Sequence, residues 1–225
     1  MKDSEHGKKC VLLFPYNGNS REALDCLKPD TFVIGFIDDD IELQQYRGAG
    51  YRIMGRDALD LFPQAKVLAV PGSSETYLQR GGIISDLNIG SERFITAIHP
   101  TASVSRHARI GIGVVIMAGV VIPANAVIGN HVCILPNTVI HHDVTVGDLT
   151  LIGSGVIVAG GVNIGRNCYM GSGTNIIHQV RIGDRALLGL GSNVIRNVPD
   201  GAIMAGNPAR QIAKATKTQG LNNEN

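Results

Sequence analysis

The sequence predicts two domains of different construction: a small Rossmann-like α/β domain, followed by a parallel β-helix of six-residue repeats. Two observations predict this fold class. Strand-like and helix-like segments alternate up to residue 96, and beyond that point an aliphatic residue recurs at every sixth position. In addition, nine of the ten Phe and Tyr residues precede residue 98. We therefore expect domains at 1–96 and 97–210, with 211–225 forming a short helix or a disordered tail.

The first domain is predicted from apolar runs bounded by turn residues. The predicted strands are 10–14, 31–37, 51–54, 65–70 and 94–98, and the predicted helices are 21–27, 56–62 and 75–89. Ser20 is a candidate N-cap for the first helix. Ligands of mostly parallel sheets bind at the carboxyl ends of the strands, where the Asn17-Gly18-Asn19 turn and Asp38 fall.

The second domain is predicted from a hexad register that begins at Ile98. The first place of each hexad is aliphatic: Ile98, Val104, Ile110, Ile116, Ile122, Ile128, Ile134, Ile140, Val146, Ile152, Val158, Ile164, Met170, Ile176, Ile182, Leu188 and Val194. The fifth place is small or β-branched throughout. A period of six indicates short strands that turn a corner at every repeat, with three repeats per coil and both of these places pointing inward.

Composition and charge exclude several classes of function. A formal net charge of +1 removes the electrostatic case for binding nucleic acid. No apolar run is long enough for a membrane span, and the polar start of the chain does not resemble a signal peptide. The four cysteines form no CxxC pair, which favours reduced thiols and a cytoplasmic location.

The densest polar cluster on the outside of the predicted prism is His141-His142-Asp143. Steps of 18 residues place His142, Gly160 and His178 in one column, so the two histidines lie roughly 10 Å apart across a bare glycine. Three interpretations are open: solvated histidines, a zinc site, or acid–base catalysis by His142 with a carboxylate fixing its tautomer. The zinc site would need a third ligand five residues after His178, where the sequence has Gly183.

Several motifs resemble one family. They are Val139-Ile-His-His-Asp-Val-Thr-Val-Gly-Asp148, Ala159-Gly-Gly-Val162, Ala205-Gly-Asn-Pro-Ala-Arg210 and Ile34-Gly-Phe-Ile-Asp-Asp39. Together with the hexads, they resemble the bacterial sugar O- and N-acetyltransferases. Within that family, the sequence is most similar to the nucleotide-aminosugar N-acetyltransferases of the bacillosamine and perosamine pathways. The resemblance implies a left-handed β-helix, a homotrimer with active sites between subunits, acetyl-CoA as co-substrate and no metal.

The resemblance also implies roles for individual residues. His142 and Asp143 correspond to the catalytic pair. Residues expected to contact acetyl-CoA are Gly160, Ser172, Gly189, Gly191, Asn207, Pro208 and Arg210. Residues expected to contact the nucleotide sugar are Asn17, Gly18, Asp38, Asp39 and His178.

Three positions depart from the family pattern. In the front loop, where the family usually has Gly-His-Gly-Lys, this chain has Gly18-Asn19-Ser20-Arg21. It has Leu135 where an Asn is common in the family, and Leu151 where some members have a second His. We therefore expect an acceptor that differs from the best-known ones.

The function favoured by the sequence is acetyl-CoA-dependent N-acetylation of a nucleotide-linked amino sugar, with His142 as general base. Two alternatives remain open. One is O-acetylation of a sugar hydroxyl, as in the sialic-acid branch of the family. The other is a trimeric scaffold that binds a sugar nucleotide without turnover.

Overall fold

The computed structural model describes residues 9–215 and shows two packed units, a five-stranded sheet and a three-sided β-helix. The sheet contains β1 (Lys9–Phe14), β2 (Thr31–Ile37), β3 (Arg47–Gly48), β4 (Tyr51–Met54) and β5 (Lys66–Ala69), in the order β3-β4-β2-β1-β5. All neighbouring pairs are parallel except β3 with β4. This order brings the carboxyl ends of β1, β2, β4 and β5 to one edge of the sheet.

Short helices connect these strands. The α-helices are α1 (Gly18–Glu22), α2 (Ala58–Leu61) and α3 (Arg80–Ser85), and the 3-10 helices are Ala23–Cys26, Leu43–Gln45, Tyr77–Gln79 and Ser91–Arg93. The predicted N-cap is corrected: Asn17 caps α1, and Ser20 occupies the third helical position of a capping box. The predicted strand at 94–98 is shorter, because only Ala97–Ile98 pairs as a strand and Phe94 makes an isolated bridge to Val67.

The β-helix contains seventeen two-residue strands, one for each hexad. They are β6 (Ala97–Ile98), β7 (Ser103–Val104), β8 (Arg109–Ile110), β9 (Val115–Ile116), β10 (Val121–Ile122), β11 (Val127–Ile128), β12 (Cys133–Ile134), β13 (Val139–Ile140), β14 (Thr145–Val146), β15 (Leu151–Ile152), β16 (Ile157–Val158), β17 (Asn163–Ile164), β18 (Tyr169–Met170), β19 (Asn175–Ile176), β20 (Arg181–Ile182), β21 (Leu187–Leu188) and β22 (Asn193–Val194). Strands 18 residues apart pair in parallel and build three faces, so the predicted register of three hexads per coil is confirmed.

We number the faces in chain order. Face 1 begins with β6, face 2 with β7 and face 3 with β8, and every third strand continues the same face. Corner A joins faces 1 and 2, corner B joins faces 2 and 3, and corner C joins faces 3 and 1. Corner B contains residues 105–107, 123–125, 141–143, 159–161, 177–179 and 195–197, which are the second, third and fourth places of their hexads.

The interior of the prism is mostly apolar, as the register predicts, with small polar residues at the fifth places Thr138, Thr150, Thr174 and Ser192. From Val114 onward every first-place and fifth-place residue is buried, whereas Ile98 at the open first coil is 40% exposed. The outward residues of face 1, among them Cys133 and Leu151, pack against the sheet domain in a second hydrophobic cluster. The prism therefore has one covered face and two faces open to other contacts.

The prediction for the C-terminal segment is wrong within the described residues. After the last coil, β23 (Ala202–Gly206) extends face 1, and β24 (Ala209–Lys214) pairs with it in an antiparallel hairpin. Residues 211–214 are therefore strand, and neither helix nor tail. The hairpin supplies backbone hydrogen-bond partners to the edge of face 1. The side-chain pattern of an exposed strand such as β24 does not reveal this backbone pairing. The rest of the predicted tail lies outside the described residues.

Candidate active site

A cleft of about 560 Å³ lies at the carboxyl-end edge of the sheet. Asn17, Gly18, Asp38 and Asp39 all line it, so the structure brings together four of the five residues expected to contact substrate. Asn17 has a structural role as well. Its side-chain oxygen caps α1, and its amide donates to the carbonyl of Val70 at 3.1 Å, which ties the turn after β1 to β5.

The two aspartates of the cleft have different partners. Asp38 accepts hydrogen bonds from the backbone N–H groups of Tyr16 and Asp40, both at 2.9 Å, and so fixes two turns at the cleft wall. Asp39 forms a bidentate ion pair with Arg56, with both N···O distances at 2.7 Å. The hydrogen bonds from Arg56 hold the pKa of the Asp39 carboxyl below its ordinary value. Asp39 therefore stays charged and fixed at the cleft.

Arg56 lines the same cleft and was missed by sequence reasoning. It follows β4, which lies next to β2 in the sheet, and Asp39 follows β2. The guanidinium also donates to the carbonyl of Asp86 at 2.6 Å, so it links three segments. The adjacency of β2 and β4 explains this pair, because carboxyl ends of neighbouring parallel strands meet, but the sequence alone does not give that strand order.

His142 and Asp143 lie on corner B and form a hydrogen-bonded pair. The imidazole Nδ1 is 2.8 Å from a carboxylate oxygen of Asp143, and both side chains are more than half exposed. Hydrogen bonds from His142 and from the side chain of Asn125 hold the pKa of Asp143 below its ordinary value. The carboxylate is therefore ionised at neutral pH and accepts the Nδ1–H, which leaves Nε2 as the basic nitrogen of the ring.

The ring of His142 lies over Gly160 in the next coil. A Cβ added to Gly160 would lie 2.7 Å from Cε1 and 2.8 Å from Nε2 of His142. The absence of a side chain at position 160 is therefore what allows the imidazole to occupy this position.

The backbone N–H of Gly160 differs from several third-place N–H groups at the other corners. The third-place N–H groups of Asn130, Ser154 and Arg166 each donate to a side chain one coil further on. Within residues 9–215, the N–H of Gly160 has no such partner. The residue that the imidazole covers thus carries a free donor.

The remaining residues expected to contact acetyl-CoA lie elsewhere on the protomer. Ser172, Gly189 and Gly191 are on corner A, where the Ser172 hydroxyl accepts from the N–H of Ser154 at 3.1 Å. Asn207 and Pro208 form the turn between β23 and β24, and Arg210 follows on β24. Face 2 separates these residues of corner A from Gly160 on corner B.

His178 lies two coils beyond His142 on corner B and does not line the cleft of the sheet domain. Two of the three departures from the family pattern, Leu135 and Leu151, belong to the domain contact. Leu151 is 3% exposed on face 1, within 3.2 Å of a Cβ built at Gly72, and Leu135 packs against the same cluster.

In the range 9–215, no three His, Cys, Asp or Glu side chains come together as a possible metal site. No helix of this range combines the length and apolar character that a bilayer crossing needs.

Comparison with known proteins gives a repeat family and a set of solved structures. The model of the bacterial transferase hexapeptide family (six repeats) matches residues 107–142 and 125–160. No curated protein sequence matches the chain.

Three solved structures illustrate the similarity. The first is a perosamine N-acetyltransferase variant of Caulobacter crescentus, in complex with CoA and GDP-perosamine. It is 25% identical with a TM-score of 0.81, covering 93% of this chain and 98% of that one. The second is the acetyltransferase domain of PglB from Neisseria gonorrhoeae, in complex with acetyl coenzyme A. It is 24% identical with a TM-score of 0.80, covering 92% and 100%.

The third is WeeI from Acinetobacter baumannii, 21% identical with a TM-score of 0.77, covering 92% of this chain and 100% of that one. These matches extend over both structural units and confirm the predicted left-handed β-helix behind a small α/β domain. The chain therefore carries bacterial transferase hexapeptide repeats over residues 107–160 and shares the two-domain fold of these bacterial acetyltransferases.

Proposed function

We propose that the chain is an acetyl-CoA-dependent N-acetyltransferase that acts on the amino group of a nucleotide-linked amino sugar. The observation that carries this proposal is the arrangement on corner B, where an oriented histidine lies over a bare glycine with a free N–H. The similarity over 93% of the chain to a perosamine N-acetyltransferase that binds CoA and GDP-perosamine supports the choice of acyl donor and acceptor class.

The fit of this site to acetyl-CoA follows from position 160. Because the missing side chain lets the imidazole lie over Gly160 while the His142 side chain stays 67% exposed, an acyl chain can lie against the open edge of the ring. Acetyl-CoA supplies the acetyl group as a thioester, which is already activated and needs no covalent enzyme intermediate. The N–H of Gly160 can donate to the oxygen that becomes negative during attack, and one such donor is typically worth about 10²–10³ in rate.

His142 performs the proton transfers in this proposal. As the acceptor amine forms its bond to the acetyl carbon, Nε2 of His142 takes the amine proton, and Asp143 accepts the hydrogen bond from Nδ1 throughout. When the C–S bond breaks, the imidazolium returns that proton to the leaving thiolate. Asp143 keeps the imidazole in the correct tautomer and stabilises the transient positive charge.

The cleft of the sheet domain is the proposed site for the nucleotide of the acceptor. It is comparable in size to known ligand pockets, with polar groups fixed at its walls by the pairs Asp38–Tyr16 and Asp39–Arg56. A charged, immobile Asp39 suits recognition of ribose or base N–H and O–H groups.

The proposed assembly is a homotrimer with the site between protomers. Exposed apolar side chains border face 2, which is open in the single chain: Val121, Ile157, Ile177, Leu190 and Ile195. A second prism against this face would bring its corner A, with Ser172, Gly189 and Gly191, next to corner B of the first. Because acetyl-CoA is a cytoplasmic metabolite, we place the reaction in the cytoplasm.

The test is release of CoA from acetyl-CoA against UDP-, GDP- and dTDP-linked 4-amino sugars, with mass spectrometry of the product. We expect amide formation with one of these sugars and a fall of about 10²–10⁴ in rate for His142→Ala. His107→Asn is the matched control, because His107 is exposed on the same corner two coils earlier.

Each contrary result has a distinct meaning. Near-normal turnover by His142→Ala removes the histidine from the mechanism. An ester product in place of an amide identifies a sugar O-acetyltransferase. Nucleotide binding without CoA binding, measured by calorimetry, identifies a scaffold.

A further inference from the structure

We propose that Asn125 is a positioning residue for the reaction, since its side-chain amide holds the carboxylate of Asp143 in place beneath His142. This inference rests on the proposed function, because it concerns the orientation of the proposed base. Asn125 belongs to none of the motifs that identify the catalytic pair.

Asn125 and Asp143 occupy the same place in consecutive coils. Both are fourth-place residues of corner B, 18 positions apart, and the strands that precede them pair through Val121 and Val139. Their φ angles are nearly equal, at 65° and 60°. Because the two backbones have similar conformations at a spacing of ~4.8 Å, the side chains project in the same direction and are within reach of each other.

The amide of Asn125 lies one coil before the Asp143 carboxylate, close enough for hydrogen bonding to lower the pKa of that carboxyl. The short contact of this carboxylate is the one with Nδ1 of His142, at 2.8 Å. The Asp143 side chain is 56% exposed, so packing alone does not fix its rotation. A second donor from the preceding coil supplies that constraint.

The chemistry of an amide suits this role better than that of a cation. An amide N–H orients the carboxylate and leaves its negative charge available to the imidazole. A lysine or arginine at position 125 would neutralise that charge and compete with His142 for it. The other titratable groups on this corner near the pair are Arg106 and His107, one coil before Asn125, and His141.

The test replaces Asn125 with glycine, which accepts a positive φ without strain. The matched control is Asn88→Gly, because Asn88 is also exposed, also has a positive φ of 50° and lies in the sheet domain outside the cleft lining. Three quantities are measured: kcat, both KM values, and the titration of the Asp143 carboxyl by ¹³C NMR. The Asp143 signal is assigned by its loss in Asp143→Gly.

For Asn125→Gly we expect the pKa of Asp143 to rise towards its ordinary value and kcat to fall about three- to tenfold. Both KM values should stay unchanged, and Asn88→Gly should resemble the unmodified protein. In an Asp143→Gly background, Asn125→Gly should have no further effect on kcat, because Asn125 acts through Asp143.

Three results would overturn this role. In Asn125→Gly, they are an unchanged pKa of Asp143 or an unchanged kcat. The third is a loss of kcat on Asn125→Gly that is equally large in the Asp143→Gly background. Failure of the proposed function is seen separately. It appears as absent acetyl transfer in the unmodified chain, whereas failure of the Asn125 role appears only in the variant.

Discussion

Gly160→Ala should separate catalysis from stability in this chain. The new methyl group would lie 2.7 Å from Cε1 of His142, whereas ordinary contacts between such atoms begin at 3.4 Å. The imidazole must therefore withdraw by about 0.7 Å or change rotamer. The methyl group meets no backbone atom among its three nearest neighbours, and the φ of Gly160 is not in the left-handed region, so the fold should accept alanine.

The expected result is a large loss of activity in a stable protein. Displacing a catalytic group by close to 1 Å can cost about 10²-fold in rate, so we expect kcat to fall by about 10- to 100-fold. Gly→Ala at a compatible position commonly raises the free energy of unfolding by about 0.4–1 kcal/mol, so the Tm should stay equal or rise. Steady-state kinetics of CoA release and thermal unfolding measure the two quantities.

Two alanine variants serve as controls. Gly82→Ala lies in α3, where the added methyl group meets nothing within 4 Å, so it should raise the Tm slightly and leave kcat unchanged. Gly161→Ala has a φ of 70°, so its backbone strain should lower the Tm without displacing the imidazole. Full activity in Gly160→Ala, or a loss of activity that merely follows a loss of Tm, would refute the stated role of position 160.

Two further predictions concern the contact between the domains. Arg80 is fully buried and donates to the carbonyls of Pro71, His131 and Leu149. Arg80→Met should therefore lower the free energy of unfolding by about 3 kcal/mol or more, measured by urea titration. An unchanged urea midpoint would contradict this. Burial, together with the charge of Arg80, lowers the pKa of His131 in the folded protein. The unfolded chain therefore binds a proton at this imidazole more readily, and the free energy of unfolding should fall as the pH drops below about 6.5. His131→Asn should remove that part of the slope between pH 5 and 7.5, and an equal slope in both proteins would contradict the assignment.

The prism could be predicted from the sequence because its rule is local and repeated. Each first-place aliphatic residue fills the same space as the one 18 positions away, so the register appears directly in the chain. The same register placed His142, Gly160 and His178 in one column, and it was sufficient to locate the candidate base. The β24 strand escaped prediction because its side chains are mostly exposed and its partners are backbone groups of β23.

Other contacts in the structure leave no repeated pattern in the sequence. Arg80 binds three backbone carbonyls, which any residue type could supply, so no pattern reveals its partners. The pair of Asp39 and Arg56 depends on the order of strands in the sheet, which the element list alone leaves open. The cap of α1 shifted from Ser20 to Asn17 because both residues can cap and the turn geometry chooses between them.

The proposed catalytic and positioning residues are carried by successive coils of one hydrogen-bonded ladder. Asn125, His142 with Asp143, and Gly160 come from three consecutive turns of the prism, each joined to the next by strand pairing. Their separation along the axis is therefore a multiple of the distance between paired strands, a length that backbone chemistry sets and that sequence hardly alters. An enzyme built in this way does not rely on a loop closing to assemble its proton-transfer groups. The spacing of these groups should therefore persist on heating, and through substitutions at neighbouring positions, for as long as the paired strands remain folded.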